Sequence, residues 1–177
     1  MTKILGLDAS TSCIGWVLLT DSGKYIDCAY LDLHKEKNIY KKLDIFVKFI
    51  DEELIGLKDL KIYMESALLM FKTRSSMASV IAKLQEVNGM YRALLYQKLG
   101  IETELINPMS ARRLAGLTIP RKTDTKEFIL SYVKSLNLIP VTKWEVTRKG
   151  KNKKTNYDMA DATIICLAAM KNKGVTV

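Results

Sequence analysis

The chain is poor in the residues that build soft-metal sites and disulfide frameworks. It has one histidine, His34, and three cysteines that lie far apart in apolar surroundings, at Cys13, Cys28 and Cys166. A single histidine leaves little for a histidine-based zinc site or a Ser-His-Asp triad. Three scattered cysteines fit reduced thiols in a cytoplasmic protein better than a disulfide framework.

Long hydrophobic runs are also missing. No apolar stretch reaches the length of a membrane span, and no hydrophobic signal segment stands at the N-terminus, so we expect no membrane association. The 177 residues are 48% hydrophobic and 27% charged, which is ordinary for a globular protein. This length predicts one domain over residues 1–177.

Negative charge is outnumbered, and part of the positive excess lies in one segment. The formal net charge is +9. A run with no acid in it carries basic residues at Arg148, Lys149, Lys151, Lys153 and Lys154. Such a run is typical of phosphate contacts with nucleic acid, and a solvated loop is the alternative interpretation.

Two predicted strands end in a carboxylate. The apolar run at 4–7 leads into Asp8, and a turn of small residues joins it to a second apolar run at 14–19, which predicts a hairpin. The strand predicted at 60–65 ends in Glu65 in the same way. A carboxylate beside a buried strand is costly unless a cation meets it, so an ion pair, a turn cap or a metal ion would each account for Asp8. Two such acids favour a shared cation.

Strands alternate with helices along the chain, which predicts an α/β sandwich. Further strands are predicted at 24–33 and 102–106, and apolar spacing predicts helices at about 36–54, 77–98 and 124–136, with a short helix opening at Ser110. The apolar stripe of the 77–98 helix is wide, which fits either a second subunit or packing within the domain. Residues 137–155 have no periodicity, and we expect a mobile loop there.

The last predicted helix, from residue 156, carries the other two notable acids. Asp158 and Asp161 are three residues apart and therefore share one helix face, whereas nearly all their neighbours are apolar or small. Like charges at this spacing repel unless a cation lies between them. Capping of the helix N-terminus is the structural alternative, although it explains one acid better than two.

The four acids Asp8, Glu65, Asp158 and Asp161 thus lack an obvious partner, and the sequence places no histidine or cysteine ligand with them. Hard oxygen ligands select Mg²⁺ or Mn²⁺ over zinc or copper. Two such ions about 4 Å apart can activate a water molecule and stabilise a leaving oxyanion in attack on a phosphodiester. An acidic metal pocket in a basic protein indicates a nuclease.

The motifs around these acids resemble those of the RuvC nucleases. The first RuvC motif is similar to residues 4–16, ILGLDASTSCIGW. The second, a glutamate at a strand end, is similar to residues 64–66, and the Asp-x-x-Asp-Ala start of the family's last helix matches residues 158–162. Order, spacing and predicted setting agree across nearly the whole chain.

This resemblance implies a ribonuclease-H-like fold with a central mixed five-stranded sheet flanked by helices. It also implies a homodimer that nicks four-way (Holliday) DNA junctions symmetrically with Mg²⁺, for which we expect Mn²⁺ to substitute. The catalytic and metal-binding residues would be Asp8, Glu65, Asp158 and Asp161. Two ions per site and sealable nicks are expected.

Several residues are predicted to contact DNA. The family places an aromatic wedge in the loop after the second motif, and the candidates for it are Phe71, Leu68 and Leu69, although Leu69 and Phe71 would serve equally well as core caps. Lys72 and Arg74 of the same loop are also predicted to contact DNA. The other candidates are basic residues beside the predicted acids or in the basic run: Arg112, Arg113, Arg121, Lys122, Lys126, Arg148, Lys149, Lys151, Lys153 and Lys154.

Other functions remain open at this point. The first motif also resembles the phosphate-binding hairpin of actin-like ATPases, but those proteins close two lobes on ATP and 177 residues supply one. A non-catalytic junction-binding protein would not need all four acids. A nuclease acting on other branched DNA or on RNA/DNA hybrids would share the same motifs and the same basic segment.

Overall fold

A mixed five-stranded sheet forms the centre of the protein. The computed structural model describes residues 1–66 and 76–172. The strands are β1 (Lys3–Ala9), β2 (Cys13–Thr20), β3 (Tyr25–Asp32), β4 (Leu60–Glu65) and β5 (Thr103–Ile106). Their order in the sheet is β3-β2-β1-β4-β5. The first three strands form an antiparallel meander, and β4 and β5 run parallel to β1, so the predicted mixed sheet is confirmed.

Helices cover both faces of this sheet. They are α1 (Ile39–Phe49), which continues as a π-helical turn over Ile50–Leu54, then α2 (Ser76–Leu99), α3 (Pro108–Leu114), α4 (Thr125–Ser135) and α5 (Thr155–Asn172). Leu5 and Leu7 of β1 pack with residues of α1 and α2, whereas Ile4 packs with residues of α3, α4 and α5. This alternation follows from the two-residue period of a strand, and it gives the sandwich that the sequence predicted.

Helix starts are set by capping side chains that apolar spacing does not reveal. The Asn38 side chain accepts from the backbone amides of Tyr40 and Lys41, so α1 begins at Ile39 and not near residue 36 as expected. Asn107 caps α3 in the same way, with Pro108 at the first helical position. The short helix therefore begins two residues earlier than predicted.

Residues 137–154 differ from the mobile loop that the sequence led us to expect. A short 3₁₀ helix spans Val141–Lys143, and an isolated bridge pairs Val146 with Asn152. The segment is tied to β3, because Lys143 Nζ lies 2.7 Å from Asp27 Oδ1 and the Tyr30 hydroxyl donates to Glu145 Oε2 at 3.0 Å. We call residues 145–153 the basic hairpin.

Within the described ranges, no helix combines the length and apolar character that crossing a membrane requires. All three cysteines are buried free thiols, as expected.

Candidate active site

Two of the four acids lie side by side at the carboxyl ends of two neighbouring inner strands of the sheet. β1 and β4 are parallel, and their register pairs Leu7 with Met64, which places Asp8 beside Glu65 at the next position of each strand. The carboxyl ends of parallel strands are where α/β sheets hold their functional sites. The structure therefore places both acids at the carboxyl ends of neighbouring strands, as the sequence predicted.

The other two acids reach this edge because α5 lies directly on the sheet. A Cβ atom on Gly15 of β2 would be 2.3 Å from the carbonyl carbon and oxygen of Asp158, and one on Gly6 of β1 would be 2.3 Å from the carbonyl oxygen of Ala162. Only glycine permits such an approach at these positions. The two glycines therefore allow the start of α5, with Asp158 and Asp161, to sit against the ends of β1 and β2.

Burial and mutual repulsion disturb the titration of Asp8 and Glu65. Burial, followed by the charges of Glu65, Asp161 and Asp158, raises the pKa of Asp8 well above its ordinary value. Burial and the Asp161 charge raise the pKa of Glu65 to about 7, although Arg112 and Lys126 oppose the change. Carboxylates that affect each other's pKa in this way share one electrostatic environment.

The two acids of α5 belong to the same environment. Burial raises the pKa of Asp161 to about 6, against the lowering effect of Arg112 and Lys126. Burial also raises the pKa of Asp158, while a hydrogen bond from the Cys13 thiol and the nearby Lys126 and His34 oppose the rise. All four carboxyl residues are half-buried. They are desolvated enough to interact and remain open enough to receive a ligand.

Cations surround the acids without pairing with them. Arg112 of α3 and Lys126 of α4 both act electrostatically on Glu65 and Asp161. Among residues 1–66 and 76–172, however, no ion pair includes any of the four acids. The negative charge of the cluster is therefore only partly offset by the protein groups described, and a bound cation would offset more of it.

The donor set fits a hard divalent metal ion. It consists of carboxylate oxygens, which are the ligands that Mg²⁺ and Mn²⁺ prefer. In the described part of the chain, no three His, Cys, Asp or Glu side chains are gathered closely enough to enclose an ion. A metal ion would therefore need the carboxylates of Asp8, Glu65, Asp158 and Asp161 to approach one another more closely than they do here, and its charge would offset their mutual repulsion.

The predicted DNA-contacting residues fall into three groups. Leu68, Leu69, Phe71, Lys72 and Arg74 lie outside the described residues. Arg112 and Lys126 lie beside the acids, as stated above. The remainder are exposed, at Arg113, Arg121, Lys122, Arg148, Lys149, Lys151, Lys153 and Lys154, and Lys153 forms an ion pair with Glu145 at 2.7 Å. Their contacts with DNA stay predictions.

Sequence reasoning missed several residues that the structure brings to the site. The Cys13 thiol and His34 both influence Asp158. His34 is near because the Leu33 amide donates to the Ser12 carbonyl at 2.9 Å, which carries the end of β3 to the turn after β1. The register of β2 and β3, which pairs Cys13 with Asp32, was the missing signal, and single-sequence patterns do not give it.

Solved structures of resolvases share this architecture. RuvC of T. thermophilus in complex with a Holliday junction substrate has a TM-score of 0.65 and 13% sequence identity, and the match covers 99% of this chain and 98% of that one. A yeast mitochondrial Holliday junction resolvase has a TM-score of 0.63 and 14% identity, with 98% and 80% coverage. The fowlpox virus resolvase, in complex with substrate Holliday junction DNA, has a TM-score of 0.53 and 13% identity, with 97% and 99% coverage.

No protein-family model and no curated protein sequence matches the chain. At 13–14% identity the structural likeness establishes the fold alone. That likeness extends over nearly the full length of the chain. The chain therefore has the ribonuclease-H-like fold of the RuvC-type Holliday junction resolvases, as its sequence motifs predicted.

Proposed function

We propose that this protein is a divalent-metal-dependent endonuclease that resolves four-way DNA junctions by paired, symmetric nicking. The observation that carries the proposal is the cluster of four half-buried carboxyl residues at one sheet edge, electrostatically coupled and unpaired within the described residues. Arg112 and Lys126 beside the cluster supply positive charge for a phosphodiester. The fold shared with resolvases supports the choice of substrate.

In this site Asp8, Glu65, Asp158 and Asp161 would hold Mg²⁺ or Mn²⁺, with two ions expected. The bound metal supplies an activated water molecule and charge stabilisation for the leaving oxygen. Arg112 and Lys126 orient the scissile phosphate and offset the negative charge that grows on it during attack. The rigid sheet edge and the buried helix α5 hold the four backbone positions, so that only side chains need to adjust.

A cation in the cluster would also resolve its internal repulsion. In the metal-free protein, burial and neighbouring charges favour protonation of Glu65 up to about neutral pH and of Asp161 at mildly acidic pH, because their pKa values are raised to about 7 and about 6. A divalent ion favours the carboxylate forms and releases those protons. Metal affinity should therefore increase with pH up to about 8.

The proposed partners follow from the substrate. A four-way junction has two-fold symmetry, so paired nicks need two active sites and we propose a homodimer of single-domain subunits. Tyr96 of α2 and Leu105 of β5 are exposed on two elements that contact each other, and we propose that they provide apolar surface for a second copy. A DNA-processing enzyme of this kind would act in the cytoplasm, in association with the nucleoid.

The test is cleavage of a labelled synthetic four-way junction with Mg²⁺, beside a linear duplex, a replication fork and an RNA/DNA hybrid. The Asp8→Asn protein is the matched control for contaminating nuclease, because it changes one carboxylate to an isosteric amide. We expect paired, symmetric nicks in the junction with the wild-type protein and none with the variant. Ligation of the products would verify that the nicks are sealable.

Each other pattern points to a different function. Nicking of the fork as well would indicate a broader branched-DNA nuclease, and cutting of the hybrid alone would indicate a ribonuclease of the same fold. Junction binding without cleavage in either Mg²⁺ or Mn²⁺ would indicate a non-catalytic binding protein. Tight binding of ATP would favour the actin-like alternative.

A further inference from the structure

A cleft of about 290 Å³ opens beside Asp158, on the outer side of the acid cluster. It lies where the turn after β1, the end of β3 and the starts of α4 and α5 meet. Its walls include Ser12, His34, Lys126, Lys154, Tyr157 and Asp158. The cleft is thus continuous with the proposed metal site but is lined mainly by residues that the site itself does not use.

The turn after β1 and the end of β3 fix one wall of this cleft. Ser10 Oγ accepts from the Cys13 amide at 3.0 Å and donates to the Cys13 carbonyl at 2.8 Å, which sets the conformation of the turn around Ser12. Ser10 Oγ and Ser12 Oγ are 3.3 Å apart. The Ser12 hydroxyl is therefore held at the cleft by local hydrogen bonds.

His34 lines the cleft at the end of β3, and Asp32 holds its ring. Its Nδ1 lies 3.0 Å from Asp32 Oδ1, and hydrogen bonds from the His34 amide and ring keep the pKa of Asp32 below its ordinary value. Because an ionised carboxylate only accepts hydrogen bonds, Nδ1 carries the hydrogen that Asp32 accepts, and the held ring forms one wall of the cleft. Asp32 thereby orients the imidazole at the edge of the cleft.

Two lysines give the cleft its charge. Lys126 stands in the first turn of α4, and Lys154 lies between the basic hairpin and the start of α5. Within the described ranges neither lysine has an ion-pair partner. The Tyr157 hydroxyl is engaged with Glu127, so its ring serves as a wall. With Asp158 committed to a metal ion, the cleft favours a compact anion that accepts several hydrogen bonds.

We infer that this cleft binds a backbone phosphate of the cleaved strand next to the phosphate that is hydrolysed, with Lys154 and His34 as positioning residues. The inference rests on the proposed function, because it assumes that a DNA strand passes over the four acids. A strand held at two neighbouring phosphates has its scissile bond fixed relative to the metal ligands. Such positioning raises the cleavage rate without sequence selectivity.

The test combines protein variants with single neutral phosphates. Junctions are prepared with one methylphosphonate at each position around the cut, and their binding is measured to Asp8→Asn protein so that cleavage does not interfere. Lys154→Ala and His34→Gln are introduced into that background. Lys61→Ala is the matched control, because Lys61 is exposed near the start of β4, at the opposite end of the strand from Glu65.

We expect one neutral phosphate beside the cut to weaken binding by about 5-fold, the size of one partly exposed charge contact. Lys154→Ala should weaken binding to the unmodified junction by a similar factor and abolish the effect of that one phosphate, and His34→Gln should reduce it. The Lys61→Ala protein should respond to every position as its parent does. If the variant's binding becomes insensitive to the methylphosphonate at one position and stays sensitive at the others, the side chain and that phosphate are coupled. A general loss of folding would not produce this pattern.

Two outcomes overturn the inference. If Lys154→Ala and His34→Gln proteins respond to every neutral phosphate as their parent does, the cleft does not hold a phosphate of the cleaved strand. If the parent binds no junction, both the inference and the proposed function fail. Junction binding with the expected coupling, but no cleavage by the wild-type protein, would remove the proposed activity and retain the phosphate site.

Discussion

Gly15 of β2 and Asp158 of α5 are in direct backbone contact: a Cβ atom on Gly15 would lie 2.3 Å from the Asp158 carbonyl carbon and oxygen. A Gly15→Ala change should therefore push the start of α5 away from the sheet and displace a metal ligand. We expect junction cleavage to fall by about 100-fold, as for a misplacement of about 1 Å. The free energy of unfolding should fall by about 1–3 kcal/mol through overpacking. Single-turnover cleavage and urea unfolding measure the two effects.

Gly89→Ala is the matched control for the stability effect. Gly89 lies inside α2, and apart from its chain neighbours and the adjacent backbone of the helix, no described atom lies within 4 Å of a Cβ placed there. Because alanine forms helices better than glycine, the free energy of unfolding of the Gly89→Ala protein should be about 0.5–1 kcal/mol higher than that of wild type. Full cleavage activity in the Gly15→Ala protein would contradict the conclusion that this contact positions Asp158.

The raised carboxyl pKa values predict that the metal-free protein loses stability as pH rises. Glu65 and Asp161 titrate at about 7 and about 6 in the folded protein, above their ordinary values of 4.5 and 3.8. The folded state therefore binds more protons than the unfolded state between about pH 4 and pH 7, and the free energy of unfolding falls through that window. In EDTA, Glu65→Gln protein should be more stable than wild type at pH 8, and this advantage should vanish at pH 4. Thermal melts at both pH values test this.

Divalent metal should reverse that instability. At pH 8 we expect Mg²⁺ to bind the folded cluster and not the unfolded chain, so a concentration 100-fold above its dissociation constant should add about 2.7 kcal/mol to the free energy of unfolding. The same Mg²⁺ concentration should raise the free energy of unfolding of the Asp161→Asn protein much less. Melting temperatures recorded across a Mg²⁺ titration make the comparison, with Ca²⁺ as a second oxygen-seeking ion. A wild-type melting temperature indifferent to both ions would argue against a metal role for the four acids.

Local sequence patterns pointed to most of the candidate site. Asp8 and Glu65 lie at the ends of buried strands, and Asp158 and Asp161 interrupt an apolar helix, so each acid is conspicuous in its own neighbourhood. The parallel pairing of β1 and β4 then brings the two strand-end acids together, as α/β architecture requires. Such features are readable because their spacing is local and the polar residue is costly where it stands.

Contacts between distant parts of the chain could not be predicted. The basic hairpin is held by Lys143 against Asp27 and by Glu145 against Tyr30, pairs more than a hundred residues apart in the sequence. His34 meets Asp158 only through the register of β3 on β2. Residues that pair in this way are not spaced periodically in the sequence, so patterns in a single sequence do not predict such pairs.

The basic hairpin should contribute affinity for DNA without contributing to catalysis. Its exposed residues Arg148, Lys149 and Lys151 have no ion-pair partner within the described part of the chain. Replacing all three with alanine should weaken junction binding and reduce the slope of log affinity against log salt by about 0.9 for each DNA phosphate that the protein no longer neutralises. The cut position and the rate at saturating protein should not change. A salt slope equal to that of wild type would indicate that the hairpin is a solvated surface.

In the proposed homodimer, the outer face of α2 forms part of the interface between subunits. Tyr96 is 58% exposed there, and Leu105 on the neighbouring edge strand β5 is 45% exposed. A Tyr96→Glu change would put a charge into the apolar centre of an interface on this side, so the protein should become monomeric in sedimentation experiments and lose paired nicking. Tyr40→Glu is the matched control, because it makes the same change at an exposed tyrosine of another helix: Tyr40 is 72% exposed on α1. A dimer that persists in Tyr96→Glu protein would place the interface elsewhere, and a monomeric wild-type protein that still makes paired nicks would contradict the requirement for two subunits.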